Sequence, residues 1–279
     1  MNFLFIFLFV FSPLIAEDFS FNKETGQAVP TFVGEIKFFK GNVFKANLGR
    51  LTAVKEGTRF YKNDTIVTEE KSLAKILIVD DTTLNIGPKS ELKFSEFNYI
   101  DKSNRSIIYS FIKGQVRAII KNKAKDGELQ IKTQSAVLGI RGTELFANHQ
   151  TINNLEVSEF SLLSGNAEVK DINNNQTVSL SKNDKVVIIA NQQSKQSMSH
   201  KGIMTTEELE TLRPEEVFMP YFEIQKIDKD STFYSFLNTP SSSGISPLNT
   251  SEMPKESQKR HWKENLKRLN EKLRENLKK

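Results

Sequence analysis

Between about Val33 and Ile189 the chain consists of short apolar or alternating runs separated by Gly, Asn, Asp and Lys. Typical runs are LAKILIV (73–79), LQIKT (129–133), LEVSEFSLL (155–163) and TVSLS (177–181). Each has the length of a strand, and several alternate with the period of two that a half-buried strand requires. No segment here sustains a helical period with capping residues. The pattern therefore predicts an all-β domain over residues 33–190.

Three stretches of this region share an apolar run, a glycine and further apolar positions. They are IKFFKGNVFKA around Gly41, IYSFIKGQVRAII around Gly114 and FSLLSGNAEVK around Gly165. A second pair, KNDTIV (62–67) and KNDKVV (182–187), places a turn before a strand. Repeated strand–turn units that stack on one another would share a buried interior. We therefore expect a short β-solenoid or β-roll.

The N-terminal residues have a different pattern. Residues 3–11 form the apolar run FLFIFLFVF, and Ala16 directly precedes the first charged residues. This order predicts a secretory signal peptide over residues 1–16, followed by an N-terminal extension over 17–32. A retained membrane anchor is the alternative, but about 14 residues interrupted by Pro13 fall short of the roughly 20 that span a bilayer. We expect a periplasmic or secreted protein with no stable membrane span after signal cleavage.

Residues 191–254 are predicted to form a linker with one short helix. Residues 191–200 are polar, and residues 238–254 are rich in Pro, Ser, Asn and Thr. Between them, Thr205 and Glu208 have the spacing of a helix capping box.

Residues 255–279 are predicted to form a basic amphipathic helix. Its apolar positions fall at helical spacing and form one narrow stripe, made of Trp262, Leu266, Leu269, Leu273 and Leu277. We regard this stripe as a candidate partner-binding surface. It could pack on the body of the protein, dock on a partner helix or a second copy, or adsorb to an anionic surface.

The net charge of +5 is concentrated in this last segment, which contains ten Lys or Arg and four Glu, a net of +6. Residues 1–254 therefore sum to −1, and we expect no nucleic-acid binding by the body. Cysteine is absent, which excludes disulfides, thiolate zinc sites and a cysteine nucleophile.

No catalytic or metal-binding constellation is recognisable in the sequence. His149, His200 and His261 lie in different regions without the spacing of a ligand pair. Asp80 and Asp81 are adjacent, but neighbouring strand residues point to opposite faces and the composition DDT is typical of a turn. We expect no enzyme, no metal and no cofactor.

The order of these segments resembles the FecR domain, first recognised in the periplasmic part of iron-dicitrate sensors. The resemblance is carried by GNVFKA (41–46), residues 56–92, YSFIKGQVRAII (109–120), LQIKTQSAVLGIRGTELFA (129–147), FSLLSGNAEVK (160–170) and VSLSKNDKVVI (178–188). It implies an all-β, solenoid-like fold. The motif positions, with the repeated glycines, are Gly57, Asp64, Thr68, Ser72, Gly114, Thr133, Ala136, Arg141, Gly142, Thr143 and Gly165. We expect these residues to be structural.

The segment Gly-Ile-Arg-Gly-Thr (139–143) places a charge between two glycines. We expect Gly142 to form a corner or a close backbone approach. Arg141 is expected to be a structural charge that bonds turn carbonyls or a nearby acid such as Glu144.

Regulatory members of the FecR family place a sigma-factor-binding segment and a membrane helix before this domain, whereas only Met1 and Asn2 precede the apolar run here. The chain therefore resembles the stand-alone exported type. We expect a non-enzymatic envelope protein that acts as a scaffold or protein-recognition module. The alternatives are binding of peptidoglycan or another cell-wall glycan, and an accessory role in a transmembrane, sigma-factor regulatory system.

Overall fold

A computed structural model describes residues 18–23, 26–123, 129–152 and 154–212, and in these ranges it is predominantly β with one short helix. The elements in chain order are β1 (Phe19–Phe21), β2 (Ala28–Pro30), β3 (Gly34–Lys40), β4 (Val43–Asn47), β5 (Arg50–Ala53), β6 (Arg59–Phe60), β7 (Thr65–Thr68), β8 (Leu73–Ile78), β9 (Thr83–Ile86), β10 (Glu91–Tyr99), β11 (Arg105–Ile119), β12 (Leu129–Lys132), β13 (Ala136–Ile140), β14 (Glu144–Ile152), β15 (Leu155–Ser164), β16 (Asn166–Asp171), β17 (Thr177–Ser181), β18 (Asp184–Asn191), β19 (Ser197–Ile203) and α1 (Thr206–Thr211). The predicted signal peptide and the predicted helix over 255–279, with its apolar stripe, lie outside the described residues.

Strands β3 to β19 form one continuous curled sheet with two layers. Layer one has the strand order β6-β3-β8-β9-β11-β14-β15-β18-β19. Layer two has the order β5-β4-β7-β10-β11-β12-β13-β16-β17. Strand β11 belongs to both layers and joins them.

The hydrophobic core lies between the two layers. Strand β8 shows the alternation that builds this core. Ala74, Ile76 and Ile78 are buried, and the residues between them are half-buried. Aromatic rings join the layers across the core, with the centroids of Phe60 in layer one and Phe94 in layer two 5.4 Å apart. Alternation along the strands thus produces one shared interior.

The pairing between strands does not confirm the predicted β-solenoid. A solenoid stacks successive strands in parallel, whereas every pairing within these two layers is antiparallel except that of β11 with β12. Tight turns such as β4–β5 and β16–β17 return the chain within a layer, which gives antiparallel neighbours. The repeated strand–turn units are real, but they alternate in direction.

Strand β11 passes from layer two to layer one at Gly114. Residues 105–113 pair with β10, and residues 114–119 pair with β14. Gly114 has φ +104°, and a Cβ atom there would lie 2.3 Å from the Cα of Ser90. The Ser90 hydroxyl accepts a hydrogen bond from the N–H of Gln115 at 2.9 Å. Only glycine combines this conformation with so close an approach.

A buried ion pair fastens the start of β11 to the turn between β8 and β9. The Arg105 Nε donates to the Asp80 carboxylate at 2.5 Å, and both side chains are inaccessible to solvent. The remaining Arg105 nitrogens donate to the carbonyls of Lys102 and Asn122, and the other Asp80 oxygen accepts from the N–H of Thr82 at 2.9 Å. A buried pair of this kind is tolerated because its remaining donors and acceptors are satisfied.

The domain continues on both sides of the predicted boundaries. In the predicted extension, β1 and β2 form a hairpin, and Asp18 accepts a hydrogen bond from the Tyr61 hydroxyl at 2.8 Å. The sequence predicted residues 197–203 to lie in the polar linker. They form β19 instead, which pairs with β18 at the edge of layer one. As an edge strand with exposed or half-buried side chains, β19 carries no apolar alternation for the sequence to reveal. Helix α1 begins with a capping box made by Thr205 and Glu208.

We predict that Gly114→Ala lowers the free energy of unfolding by more than about 2 kcal/mol, because the added methyl group meets Ser90 in a conformation that alanine disfavours. Gly49→Ala is the matched control, since Gly49 has φ +77° but nothing lies within 4 Å of its would-be Cβ. Its cost should be about 1 kcal/mol, from backbone strain alone. Urea unfolding of both variants measures the difference. Equal losses at the two glycines would show that the close approach to Ser90 is unimportant.

Candidate functional site

The first group of family-motif residues lies at corners where the chain passes between the two layers. The buried Asp64 carboxylate accepts from the N–H of Tyr61 at 2.7 Å and pairs with the Lys45 ammonium at 2.7 Å. Gly57 occupies the preceding turn with φ +77°. The Thr68 hydroxyl donates to the carbonyl of Gly87 at 2.6 Å. These contacts hold turns in place.

The repeated glycines each allow a close approach between two parts of the chain. A Cβ on Gly41 would lie 2.4 Å from the hydroxyl oxygen of Ser72, which accepts a hydrogen bond from the N–H of Asn42. A Cβ on Gly165 would lie 2.5 Å from the carbonyl oxygen of Gly142. Gly114, where β11 crosses between the layers, approaches Ser90 in the same way. The glycine of each repeat therefore lies at a close contact between two parts of the chain.

The second group of motif residues divides between two places. Gly142, Thr143 and Gly165 meet at one corner, where the Thr143 hydroxyl donates to the carbonyl of Ser164. Thr133 and Ala136 meet at another, where the Thr133 hydroxyl accepts from the N–H of Ala136 at 3.0 Å. The motif therefore does not converge on a single pocket.

Arg141 differs from its expected role. Its side chain is exposed and has no hydrogen-bond or ion-pair partner among the described residues. Glu144, the expected partner, instead binds Arg117, whose Nε donates to it at 2.9 Å. The expectation that Arg141 bonds Glu144 is wrong, because a guanidinium on the neighbouring strand β11 occupies that carboxylate.

A polar cleft of about 390 Å³ opens between the layers. Both layers contribute to it through strand ends and the turns that follow β16 and β18. The lining residues are Gln134, Ser135, Glu156, Asn173, Ala190, Asn191, Gln192 and Lys195. Most of them are amides or charged groups, so the cleft is suited to a polar ligand.

Beneath the cleft, inward-facing positions that would ordinarily be apolar carry a hydrogen-bonded polar network. The His149 Nδ1 lies 2.9 Å from the Ser158 hydroxyl, and its Nε2 lies 3.1 Å from a Glu156 carboxylate oxygen. The Ser158 hydroxyl also lies 2.9 Å from the hydroxyls of Ser135 and Thr133, which come from the other layer. The network therefore ties the two layers together below the cleft.

Glu156 connects this network to the cleft wall. One carboxylate oxygen accepts from the Thr151 hydroxyl at 2.9 Å and from the Gln192 amide. Burial acts to raise the pKa of Glu156, but the hydrogen bonds from His149, Thr151 and Gln192 outweigh it and hold the pKa below its usual value. The cleft is therefore bordered by an ionised carboxylate over most of the pH range.

Ser158, His149 and Glu156 have the connectivity of a hydrolase triad, but not its accessibility. Ser158 and His149 are completely buried, and the serine hydroxyl is shared with Thr133 and Ser135. A nucleophile must reach the atom that it attacks. This hydroxyl therefore serves the packing of the two layers.

The sequence carries a signal for this network. In β14 and β15 the inward positions change from apolar residues, such as Ala147 and Phe160, to His149, Ser158 and Glu156. Polar residues at inward positions of a strand are the pattern that marks such a site. No three His, Asp or Glu side chains gather as a metal-binding group anywhere in the described ranges.

Helix α1 covers part of the outer face of layer one. Leu212, Met204 and Phe146 form a small buried cluster, and Arg117 donates to the carbonyl of Leu212. The Lys185 ammonium binds Glu208 at 2.5 Å. No helix in the part that the structure describes is long and apolar enough to cross a membrane.

Next to this helix lies a buried carboxyl, Glu159. Burial raises the pKa of Glu159 to about 7; the Lys185 ammonium acts to lower it, and the Glu208 carboxylate adds to the rise. Lys185 binds Glu208, and Glu159 forms no ion pair with another of the described residues. Glu159 therefore titrates near neutrality.

The hairpin β4–β5 presents an apolar tip at the far edge of layer two. Leu48 is fully exposed and adopts φ +46°, a conformation that a leucine rarely takes. Leu51, on β5, is 62% exposed. Strand β5 pairs with β4 on one side and with no described strand on the other. This edge combines exposed apolar side chains with unpaired backbone groups.

Part of the chain is similar to known proteins. Residues 64–168 match the FecR protein family. Two crystal structures described as those of an anti-sigma factor from Parabacteroides distasonis are similar, both at 14% identity over 53% of this chain, with TM-scores of 0.42 and 0.41. The matched part spans 62% and 63% of those two chains. No curated protein matches the sequence.

We predict that Glu159→Gln is more stable than the wild type at high pH. The unfolded chain ionises this group from about pH 4.5, whereas the folded protein keeps it protonated up to about pH 7. Protonated Glu159 is compatible with the folded state. Its contribution to the free energy of unfolding is complete below pH 4.5, decreases above that pH, and is lost as the pH rises through 7. The advantage of the variant should grow across this window to at most about 3 kcal/mol.

Urea unfolding at pH 5, 6, 7 and 8 measures this difference. Glu168→Gln, at an exposed carboxyl of β16, is the control. Parallel pH profiles for the wild type and Glu159→Gln would contradict the pKa that burial produces.

We also predict that Arg141→Ala changes the free energy of unfolding by less than about 0.5 kcal/mol, because its exposed side chain has no partner among the described residues. Arg117→Ala is the comparison, since Arg117 is buried and binds both Glu144 and the end of α1. Thermal unfolding measures both variants. A large loss at Arg141 would restore the structural role expected from the sequence.

Proposed function

We propose that this chain, which matches the FecR protein family over residues 64–168, acts by binding another protein as an accessory of a transmembrane signalling system in the cell envelope. The family match over residues 64–168 supports a regulatory role, not a catalytic one. The apolar run at residues 3–11 supports export. This proposal takes up the accessory role named above as an alternative, because the family match favours it over the scaffold role that we expected first.

The observation that carries the proposal is the tip of the β4–β5 hairpin. A leucine at positive φ is strained by about 1 kcal/mol, and Asn or Gly is the residue that a turn would ordinarily select. Leu48 has this strain and also exposes its whole side chain. Neither feature benefits the isolated domain. Both are explained if the side chain enters an apolar pocket of a partner.

Strand β5 offers a second element of the same surface. Its outward N–H and C=O groups have no described partner, and an extended segment of another protein can pair with such an edge. Arg50 and Leu51 lie on this strand, and all four of its residues are exposed. The partner is therefore expected to supply an apolar pocket for Leu48 and an extended segment for β5.

We predict that Leu48→Asn removes partner binding without destabilising the domain, because asparagine tolerates positive φ better than leucine does. A photo-crosslinking amino acid at position 51 in intact cells, with mass spectrometry of the adducts, measures binding. The wild type should crosslink to a membrane-embedded regulatory protein, and Leu48→Asn should lose that adduct while its melting temperature is maintained.

Ile203→Thr is the matched control, since Ile203 is 58% exposed on β19, away from the hairpin. It should retain the adduct. If Leu48→Asn crosslinks as well as the wild type, the hairpin is not the recognition surface.

A further inference from the structure

The polar cleft between the layers contains groups that no described residue satisfies. The side-chain amide of Asn173 and the ammonium group of Lys195 both line the cleft, and neither has a hydrogen-bond or ion-pair partner among the described residues. Asn173 and Lys195 lie in two turns of similar construction, after β16 and after β18. The Oδ1 of Asp171 accepts from the N–H of Asn173, and the Oδ1 of Asn191 accepts from the N–H of Ser194. These hydrogen-bonded turns thus place two polar side-chain groups that have no described partner at the cleft.

The base of the cleft is fixed by the network described above. Glu156 is held by His149, Thr151 and Gln192, and Gln192 also donates to Gln134 on the opposite side at 3.0 Å. Polar groups buried between two sheets cost stability compared with an apolar filling, unless every one is satisfied. A domain that only needed to pack would place apolar residues here. The network instead supplies a preorganised polar floor for a ligand.

The chemistry of the lining restricts the ligand class. Glu156 is ionised and would repel a phosphate or a carboxylate, while the exposed Lys195 disfavours a cation. Ala190 is the one apolar residue of the lining that the structure describes, so an apolar ligand or a hydrophobic peptide side chain has little to contact. Amide groups both donate and accept hydrogen bonds, as hydroxyl groups do.

We propose that this cleft binds an uncharged, hydroxyl-rich ligand, namely a sugar unit of an envelope glycan. Asn173 and Lys195 donate to its hydroxyl or acetamido oxygens, and the exposed Gln134 amide oxygen accepts from its hydroxyl groups. The cleft has no aromatic side chain for stacking among its lining residues, so binding of a single glycan segment is weak, with a dissociation constant on the order of 1 mM. The site is separate from the β5 hairpin, which lies at the opposite edge of layer two.

Titration of the ¹⁵N-labelled full chain tests the proposal. The probes are a β-1,4-linked N-acetylglucosamine tetramer, maltotetraose and inorganic phosphate, with amide chemical shifts as the measurement. At least one of the two sugars should shift the amides of residues 134–135, 171–176 and 190–195 in a saturable way. Larger saturable shifts of these amides with phosphate than with either sugar, or no shift with either sugar, would overturn the proposal.

A double variant, Asn173→Ala with Lys195→Ala, removes the two free groups without breaking a described side-chain contact. The loss of two hydrogen bonds should weaken sugar binding at least about tenfold. Asn104→Ala is the matched control, since Asn104 is an exposed amide in a turn that Asp101 caps in the same way, outside the cleft. Unchanged sugar affinity in the double variant would also overturn the proposal. Neither result depends on the hairpin, so this test and that of the protein partner fail independently.

Discussion

The architecture depends on a single strand that serves two sheets. Strand β11 gives its first nine residues to layer two and the rest to layer one, and Gly114 is where it crosses. Antiparallel neighbours then extend from it in both directions. The distance between the layers is set where Ser90 contacts Gly114, and the shared core fills the space that this crossing leaves. A side chain at that glycine would separate the layers at their junction.

The sequence predicted the strands well because alternation is a local property. Segments such as residues 73–79 carry the burial pattern in their own order of residues. The direction of pairing was not available in the same way. Parallel stacking and antiparallel return can place the same residues inward, so the choice between solenoid and layered hairpins is made by turn geometry and by the crossing in β11.

The functional surfaces were harder to predict for two different reasons. In the network under the cleft, Thr133 and Ser135 of layer two meet Ser158 of the β14–β15 hairpin, and this contact forms only after the two layers have packed. The hairpin tip depends on a backbone angle, since Leu48 becomes unusual only once its positive φ is known. Arg141 was expected to bind an acid such as Glu144 because it is a charge between two glycines. Arg117 makes that contact instead.

The way in which the chain leaves the domain has a mechanical consequence. Residues after 212 continue from α1, a helix of one and a half turns whose last carbonyl is bound by Arg117 of β11. Tension applied at residue 212 would therefore reach β11 through the Arg117 guanidinium group and β18 through the Lys185–Glu208 ion pair. Such a connection is compliant, since a short helix can detach while the antiparallel sheet stays intact. A pull at residue 212 would thus first detach α1, before it disturbs the hairpin or the cleft.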